Sequence, residues 1–296
     1  MTKKRRLMVG RFLLMLLAAV ISLAFLLPTV FTFTNSLMSQ SELTANYGVV
    51  FSSAAGLGSG YVSDKVNLKF IPDKLTFSQY YTTFVQSPDY LLKFWNSIKY
   101  IVPIVVFQII IACLAAYGFT RYRGKIREII FFFYIILMLM PYQVTLVPNY
   151  LVSDWLGLLG NPMAIVLPGI VAPFSVFLIT KFMRRIPQSL IEAGKLDGAG
   201  EWQIFWHICL PMCRSVIYSV VILVFIDYWN MVEQPIILLD DPALMPLSVF
   251  LSQINSQEVG LAFAVATIYM VPTLLLFLHG EEYLIEGITY SGAIKG

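Results

Sequence analysis

The chain has 296 residues, of which 58% are hydrophobic and only 12% charged, with a mean hydropathy of +0.76. Soluble domains carry roughly 45–50% apolar and about 25% charged residues, so a water-soluble enzyme and a disordered chain are both excluded and an integral membrane protein is expected. The net charge of +3 is too small to point to nucleic acid as a partner.

In chain order, Lys3, Lys4, Arg5 and Arg6 precede the apolar run Leu13–Phe33. That run is long for a signal-peptide core and no small-x-small site follows, so it is expected to remain as a first spanning helix. Residues 35–94 form the only sizeable segment expected on the outer side. Its part from Ser52 to Ser63 is rich in Ser and Gly and reads as flexible. Thr76 with Gln79 fits a capping box. Ser87-Pro88 fits a helix start, and Tyr90, Leu91, Phe94 and Trp95 would give that helix an apolar face on the membrane surface. Then come Ile101–Phe119, Ile129–Leu151, Met163–Thr180, Ser215–Val232 (which holds one acid, Asp227) and Val259–Leu278. A span needs about 20 mostly apolar residues, so six transmembrane helices are expected in an all-α integral membrane protein. Pro28, Pro103, Pro141, Pro148, Pro168, Pro173 and Pro272 fall within these runs. Each removes a backbone hydrogen bond that lipid cannot replace, which favours a transporter or channel over a simple anchor.

Basic residues set the expected orientation. With the N-terminus inside, Lys3, Lys4, Arg5, Arg6, Arg11, Arg121, Arg123, Lys125, Arg127, Lys181, Arg184, Arg185, Lys195, Arg214 and Lys295 are cytoplasmic, which is 15 of the 20 Lys and Arg. The stretches 152–162 and 233–258 hold acids and no Lys or Arg. Both termini are therefore expected inside. The resulting division is a cytoplasmic N-terminus 1–12, a transmembrane domain 13–279 with an outer loop 35–94 and a cytoplasmic loop 184–211, and a cytoplasmic tail 280–296.

The loop 184–211 reads RRIPQSLIEAGKLDGAGEWQIFWHICLP. Ser189 with Glu192 fits a capping box for a short helix ending at Leu196. Asp197-Gly198 marks a break, because glycine supplies the positive φ that ends a helix. A second short helix should follow over about Ala199–Phe205, with Pro211 opening the next span. Within the loop, Glu192-Ala193-Gly194, Gly198, Ile208, Leu210 and Pro211 stand at the spacing E-A-A-x3-G-x9-I-x-L-P. This pattern resembles that of the binding-protein-dependent ABC importer permeases, with Gly194 where that family usually has alanine. Further likenesses are Leu75-Thr76 with Tyr80, Asn96-Ser97, the stretch Ala116–Arg121, Pro141 and Pro148, Trp229-Asn230 with Pro235, and the tail Gly287–Gly296, whose ending resembles the maltose-permease-G-like carbohydrate branch. Residues 47–70 look like an insertion.

The resemblance implies the type I ABC importer permease fold in the bacterial plasma membrane. It implies a second homologous permease subunit, two ABC ATPase subunits and an extracytoplasmic solute-binding protein as partners, and a coupling helix in the loop. Glu192, Ala193, Gly194, Asp197, Gly198, Ala199 and Trp202 are then the candidates for ATPase coupling. The residues themselves agree with an outside motor. No phosphate-loop pattern is present, since Gly124-Lys125 and Gly194-Lys195 lack the rest of it, so ATP is expected on another chain. No cofactor is expected. Asp227, Tyr228, Trp229, Asn230 and Glu233 combine acids, amides and aromatic faces suited to sugar hydroxyls and are candidates for lining the pathway. His207, Cys209 and Cys213 fit no zinc spacing, and Asp240-Asp241 is too short for a diphosphate-binding motif. A membrane enzyme acting on lipid-linked sugar would need a clustered catalytic constellation, and an ion-driven carrier would need no ATPase.

Overall fold

The computed structural model of the chain describes residues 3–54, 67–122, 124–253 and 259–292, which are helical with no strand. They fall into two compact units, Met1–Leu91 with Gln253–Met270, and Leu92–Ser252 with Val271–Gly296. Four helical stretches are long and apolar enough to cross a membrane: Gly10–Ser36, Asp89–Arg121, Met163–Met183 and Val259–Leu284. The number rises to six if two sharply bent helix pairs each make one span.

In the first unit, α1 (Lys3–Ser36) is followed by α2 (Gln40–Ala54) and the short α3 (Ser78–Tyr81), which runs on as a π turn, Thr82–Gln86. Met38, Leu43 and Tyr47 are buried together, and Phe31 meets Tyr47 and Phe263 edge-on at 5.7 and 6.2 Å. The Tyr47 hydroxyl accepts from the Lys69 amide at 3.0 Å and donates to the Lys69 carbonyl at 3.2 Å. The Lys69 ammonium pairs with Glu42 at 3.1 Å and with Asp73. The two ends of the apparent insertion are therefore pinned together. The stretch read as flexible is helical over residues 52–54, and the rest of it, 55–63, lies outside the described residues. The capping box at Thr76 does not form. The Thr76 hydroxyl accepts from the Ser78 amide at 3.2 Å, while Gln79 is buried.

From Pro88 the chain runs as one 34-residue helix, α4 (Pro88–Arg121). Proline at the first helical position is as the sequence suggested, but Tyr90–Trp95 belong to this long helix and not to a separate surface helix. Then α5 (Lys125–Leu139) and α6 (Tyr142–Trp155) meet at a 105° bend. The cause is Pro141, which forces Met140 before it into extended backbone at φ −71°, ψ 129°. Pro173 acts likewise between α7 (Met163–Gly169) and α8 (Pro173–Met183), with Ala172 extended. The remaining α-helices are α9 (Gln188–Leu196), α10 (Glu201–Ile204), α11 (Leu210–Met212), α12 (Arg214–Trp229), α13 (Glu233–Leu238), α14 (Leu247–Ser252) and α15 (Val259–Gly292).

Lipid supplies no hydrophobic drive between helices, so close packing and polar bonds must hold this unit together. Ala112, Cys113 and Ala116 present small side chains from α4 to the core. Phe131 of α5 stacks on Phe177 of α8 at 6.0 Å, with the Arg184 guanidinium 4.6 Å from the Phe131 centroid. Cys113, Cys209 and Cys213 are buried free thiols.

The start of α4 clamps the loop before α14. The buried Asn96 amide donates to the Ala243 carbonyl at 2.7 Å and the Met245 carbonyl at 3.3 Å. Tyr100 donates to the Leu244 carbonyl at 2.5 Å, and Ser97 accepts from the Leu247 amide at 3.0 Å. This gives Asn96-Ser97 a structural job. Asn96→Ala is expected to lower stability by about 1–2 kcal/mol, because two carbonyls lose their buried donor; a thermal scan of the purified protein reads it. Asp241, for its part, accepts from the Ala243 amide at 2.8 Å and caps the turn there.

Candidate coupling joint and transport cavity

The loop after α8 folds as a hinged helix pair. Helix α9 ends at Leu196, and Gly198 has φ +83°. The Ala199 amide reaches back to the Gly194 carbonyl at 2.9 Å and the Gly198 amide to the Lys195 carbonyl at 3.0 Å. These two bonds close the helix end in the manner that a left-handed glycine permits. Pro187 occupies the N-cap of α9 without a side-chain cap, so Ser189 is already inside the helix and the expected box with Glu192 is not made. Instead Gln203 accepts from the Gly200 amide at 2.9 Å at the start of α10. From there the chain passes through a π turn, Phe205–Cys209, into α11, and Pro211 lies within it. The break falls two residues later than expected, at Cys213, where a 72° bend leads into α12.

One face of the pair is buried: Ile191, Ile204, Phe205 and Cys209 join the core. The other is open. Glu192, Ala193, Asp197 and Gly198 are exposed, Gly194 and Ala199 half-buried, and Leu196 and Trp202 stand 89% and 62% exposed. Gly194 sits against Ile208, whose Cδ1 would lie 2.9 Å from an added Cβ. That atom is the end of a flexible side chain, so Gly194→Ala needs a small shift of Ile208, offset by a helix-propensity gain of about 1 kcal/mol. The net change in melting temperature is expected to be slight.

Glu201 at the first residue of α10 was not singled out in the sequence, yet it ties three elements together. Its carboxylate accepts from the Tyr117 hydroxyl at 2.5 Å and from Arg121 at 3.2 and 3.3 Å, both at the end of α4, and pairs with Lys195 of α9 at 2.8 Å. Tyr117 also donates to the Glu201 carbonyl at 3.0 Å and packs edge-on against Phe205 at 5.1 Å. Hydrogen bonds from Arg121, Lys195 and Tyr117 hold the Glu201 carboxyl down to about 2. Tyr117 and Arg121 are 84 and 80 positions away along the chain, so no local pattern announces their part of the cluster.

A second site lies where α12 ends. Asp227, Tyr228, Asn230 and Glu233 line a cavity of about 490 Å³ together with Tyr142 and Gln234. Trp229 does not line it. It is 1% exposed, stacked on Phe225 at 5.3 Å and edge-on to Phe94 at 5.7 Å, so its indole serves packing where a pathway role was expected.

Bent and broken helices that border an open cavity lined by acids, amides and tyrosines, with a hinged helix pair beside them, define a multi-pass membrane transport subunit. Comparison with known proteins places it further. Residues 108–280, more than half of the chain, match the family model described as binding-protein-dependent transport system inner membrane component, and the chain belongs to that family. It is 29% identical over 216 residues to the lactose transport system permease protein LacG of Rhizobium radiobacter, covering 72% of this chain and 78% of that one. It is 27% identical to the arabinooligosaccharides transport system permease protein AraQ of Bacillus subtilis over 97% of both. Its fold matches a chain of a bacterial ABC transporter involved in the import of the acidic polysaccharide alginate, with a TM-score of 0.76, 21% identity, and 96% and 98% of the two chains covered.

Proposed function

We propose that this chain is one of two permeases in an ATP-driven importer of sugars or oligosaccharides, with six spans and both termini in the cytoplasm. It has no ATPase activity of its own and works with a homologous permease, two ABC ATPase subunits and an extracytoplasmic binding protein. The second short helix of the loop, about Ala199–Phe205, is the coupling helix that docks on an ATPase. Asp227, Tyr228, Asn230 and Glu233 form this chain's side of the sugar pathway.

The observation that carries the reading is the Gly198-hinged helix pair, open on one face at Leu196 and Trp202 and fastened on the other to α4 through Glu201. Large exposed apolar side chains on a loop mark a surface that another protein covers. The excess of Lys and Arg around this loop puts it on the cytoplasmic side, where ATP is available. The carbohydrate relatives supply the substrate class.

An affinity-tagged chain should co-purify with an ATPase, and Trp202→Arg should abolish the association while the permease still reaches the membrane. Recovery of the chain without any ATPase, or uptake that proton uncouplers abolish at constant ATP, would rule the reading out.

A further inference from the structure

The cavity beside Asp227 has a neighbour. A second space of about 350 Å³ shares Asp227 and Tyr228 with it and is otherwise walled by Gln108 of α4, Ala172 just before α8, Phe174 and Ser175 within α8, and Leu223 and Val224 of α12. Its volume falls within the ~300–1,000 Å³ usual for small-molecule sites. Gln108 and Ser175 are 2% and 0% exposed, and the Gln108 amide donates to the Ser175 hydroxyl at 2.6 Å. The other end of that amide, Oε1, is buried with no hydrogen-bond partner. A buried carbonyl oxygen without a donor is costly, and more so at membrane depth where lipid cannot supply one. Gln108 lines the cavity, so a visiting donor that reaches this oxygen would satisfy it.

The chemistry of the walls narrows that molecule. Gln108 Oε1 and the Asp227 carboxylate accept, while the Ser175 and Tyr228 hydroxyls can also donate, a mixture that suits a visitor able to do both, as a hydroxyl is. Phe174 offers an aromatic surface to an apolar ring face. Neither cavity is lined by Lys, Arg or His, while Asp227 and Glu233 are both acids. A uronate brought into this space would meet like charge without compensation.

We propose that the cavity bounded by Gln108, Phe174, Ser175 and Asp227 is a subsite for one uncharged, hydroxyl-rich glycosyl unit in transit, and that it disfavours acidic sugars. The proposal rests on the transport reading above and adds the subsite and its charge preference. Gln108 and Asp227 accept hydrogen bonds from hydroxyls of the sugar and Phe174 packs on its ring.

The test uses the whole transporter in proteoliposomes. Leu223 is half-way exposed and one helical turn before Asp227, so Leu223→Cys puts a thiol in the wall; the three native thiols are buried and the unmodified complex is the blank. Relative to a free thiol, the cationic reagent MTSET should label it at least tenfold faster than the anionic MTSES, and Asp227→Asn should remove that bias. At least one of lactose, raffinose and arabinotriose should slow the labelling, trigalacturonate should not, and Gln108→Leu should remove the protection. Absence of labelling with and without ATP, a preference for the anionic reagent, protection by trigalacturonate, or protection by none of the neutral sugars overturns the subsite. If the unmodified complex retains its ATPases while any of these occurs, the subsite alone falls; if it has none, the transport reading falls and the subsite with it.

Discussion

Glu201→Gln is expected to cut ATP-driven uptake roughly tenfold while ATP hydrolysis continues, which lies within the ~1–3 kcal/mol usual for coupling between sites. The carboxylate is the common acceptor for Tyr117, Arg121 and Lys195, so its loss unties the coupling segment from α4 and from α9 together. The global fold should survive. The Glu201 side chain is 46% exposed, and exposed ion pairs are worth only about 0–1 kcal/mol each. The measurement is solute transported per ATP consumed in proteoliposomes, with the amount of assembled complex as control. An unchanged ratio would show that the clasp is not part of the transmission. The pH response follows from the same contacts. The folded-state carboxyl sits at about 2, below its ordinary value of 4.5, so its contribution is complete above about 4.5 and is lost as pH falls towards 2. Coupling should therefore show no pH dependence through Glu201 from pH 5 upward, and the Gln variant mimics the acid form.

What could be read from the chain alone was what is local. The apolar runs, the break at Gly198 and the proline at the start of α4 each depend on neighbours within a few residues. The break and the proline are found where the sequence placed them, and four of the six runs fall in helices long enough to span while the other two belong to bent pairs. The two capping boxes failed because other local groups won. Pro187 took one cap position, and Thr76 bonded to Ser78. The 105° turn at Pro141 was legible as a kink but not in size, since the angle depends on what α5 and α6 pack against. Glu201 went unnoticed, and the packing of Trp229 stayed hidden, for one reason. An acid on a polar loop looks solvated, and an indole beside acids looks like a sugar platform, until distant elements close over them. Gln108 did leave a trace, as a lone amide within the run Ile101–Phe119.

The joint and the cavities are connected by two rods. Helix α4 carries Tyr117 and Arg121 at one end and Gln108 some 13 residues back, about 20 Å at 1.5 Å per residue. Helix α12 leaves the bend at Cys213 and carries Asp227 near its far end, a similar distance away. A displacement of the hinged pair thus has a stiff path to both walls of the second cavity. Packed helices move as rigid bodies or not at all, so such a path transmits a step and not a graded deformation.

The hinge itself supplies the last expectation. Gly198 has φ +83° and nothing within 4 Å of where a Cβ would sit, so a side chain there has room but the wrong backbone. Any cost is therefore conformational and not steric crowding. Non-glycine residues pay roughly 1–2 kcal/mol in this region, and asparagine, which visits it through its own local hydrogen bonds, pays least. A β-branched residue pays most. Gly198→Val should then open the turn and lose the bonds from Ala199 to Gly194 and from Gly198 to Lys195, shifting α10 away from the ATPase proposed to hold it. Uptake is expected to fall about tenfold or more, at about 1.4 kcal/mol for each factor of ten. Gly198→Asn should keep most of it. The comparison separates conformation from bulk, because asparagine and valine are close in size. Equal loss in both variants, with normal assembly, would mean that the exposed glycine face is itself buried against the ATPase and that the positive φ is incidental.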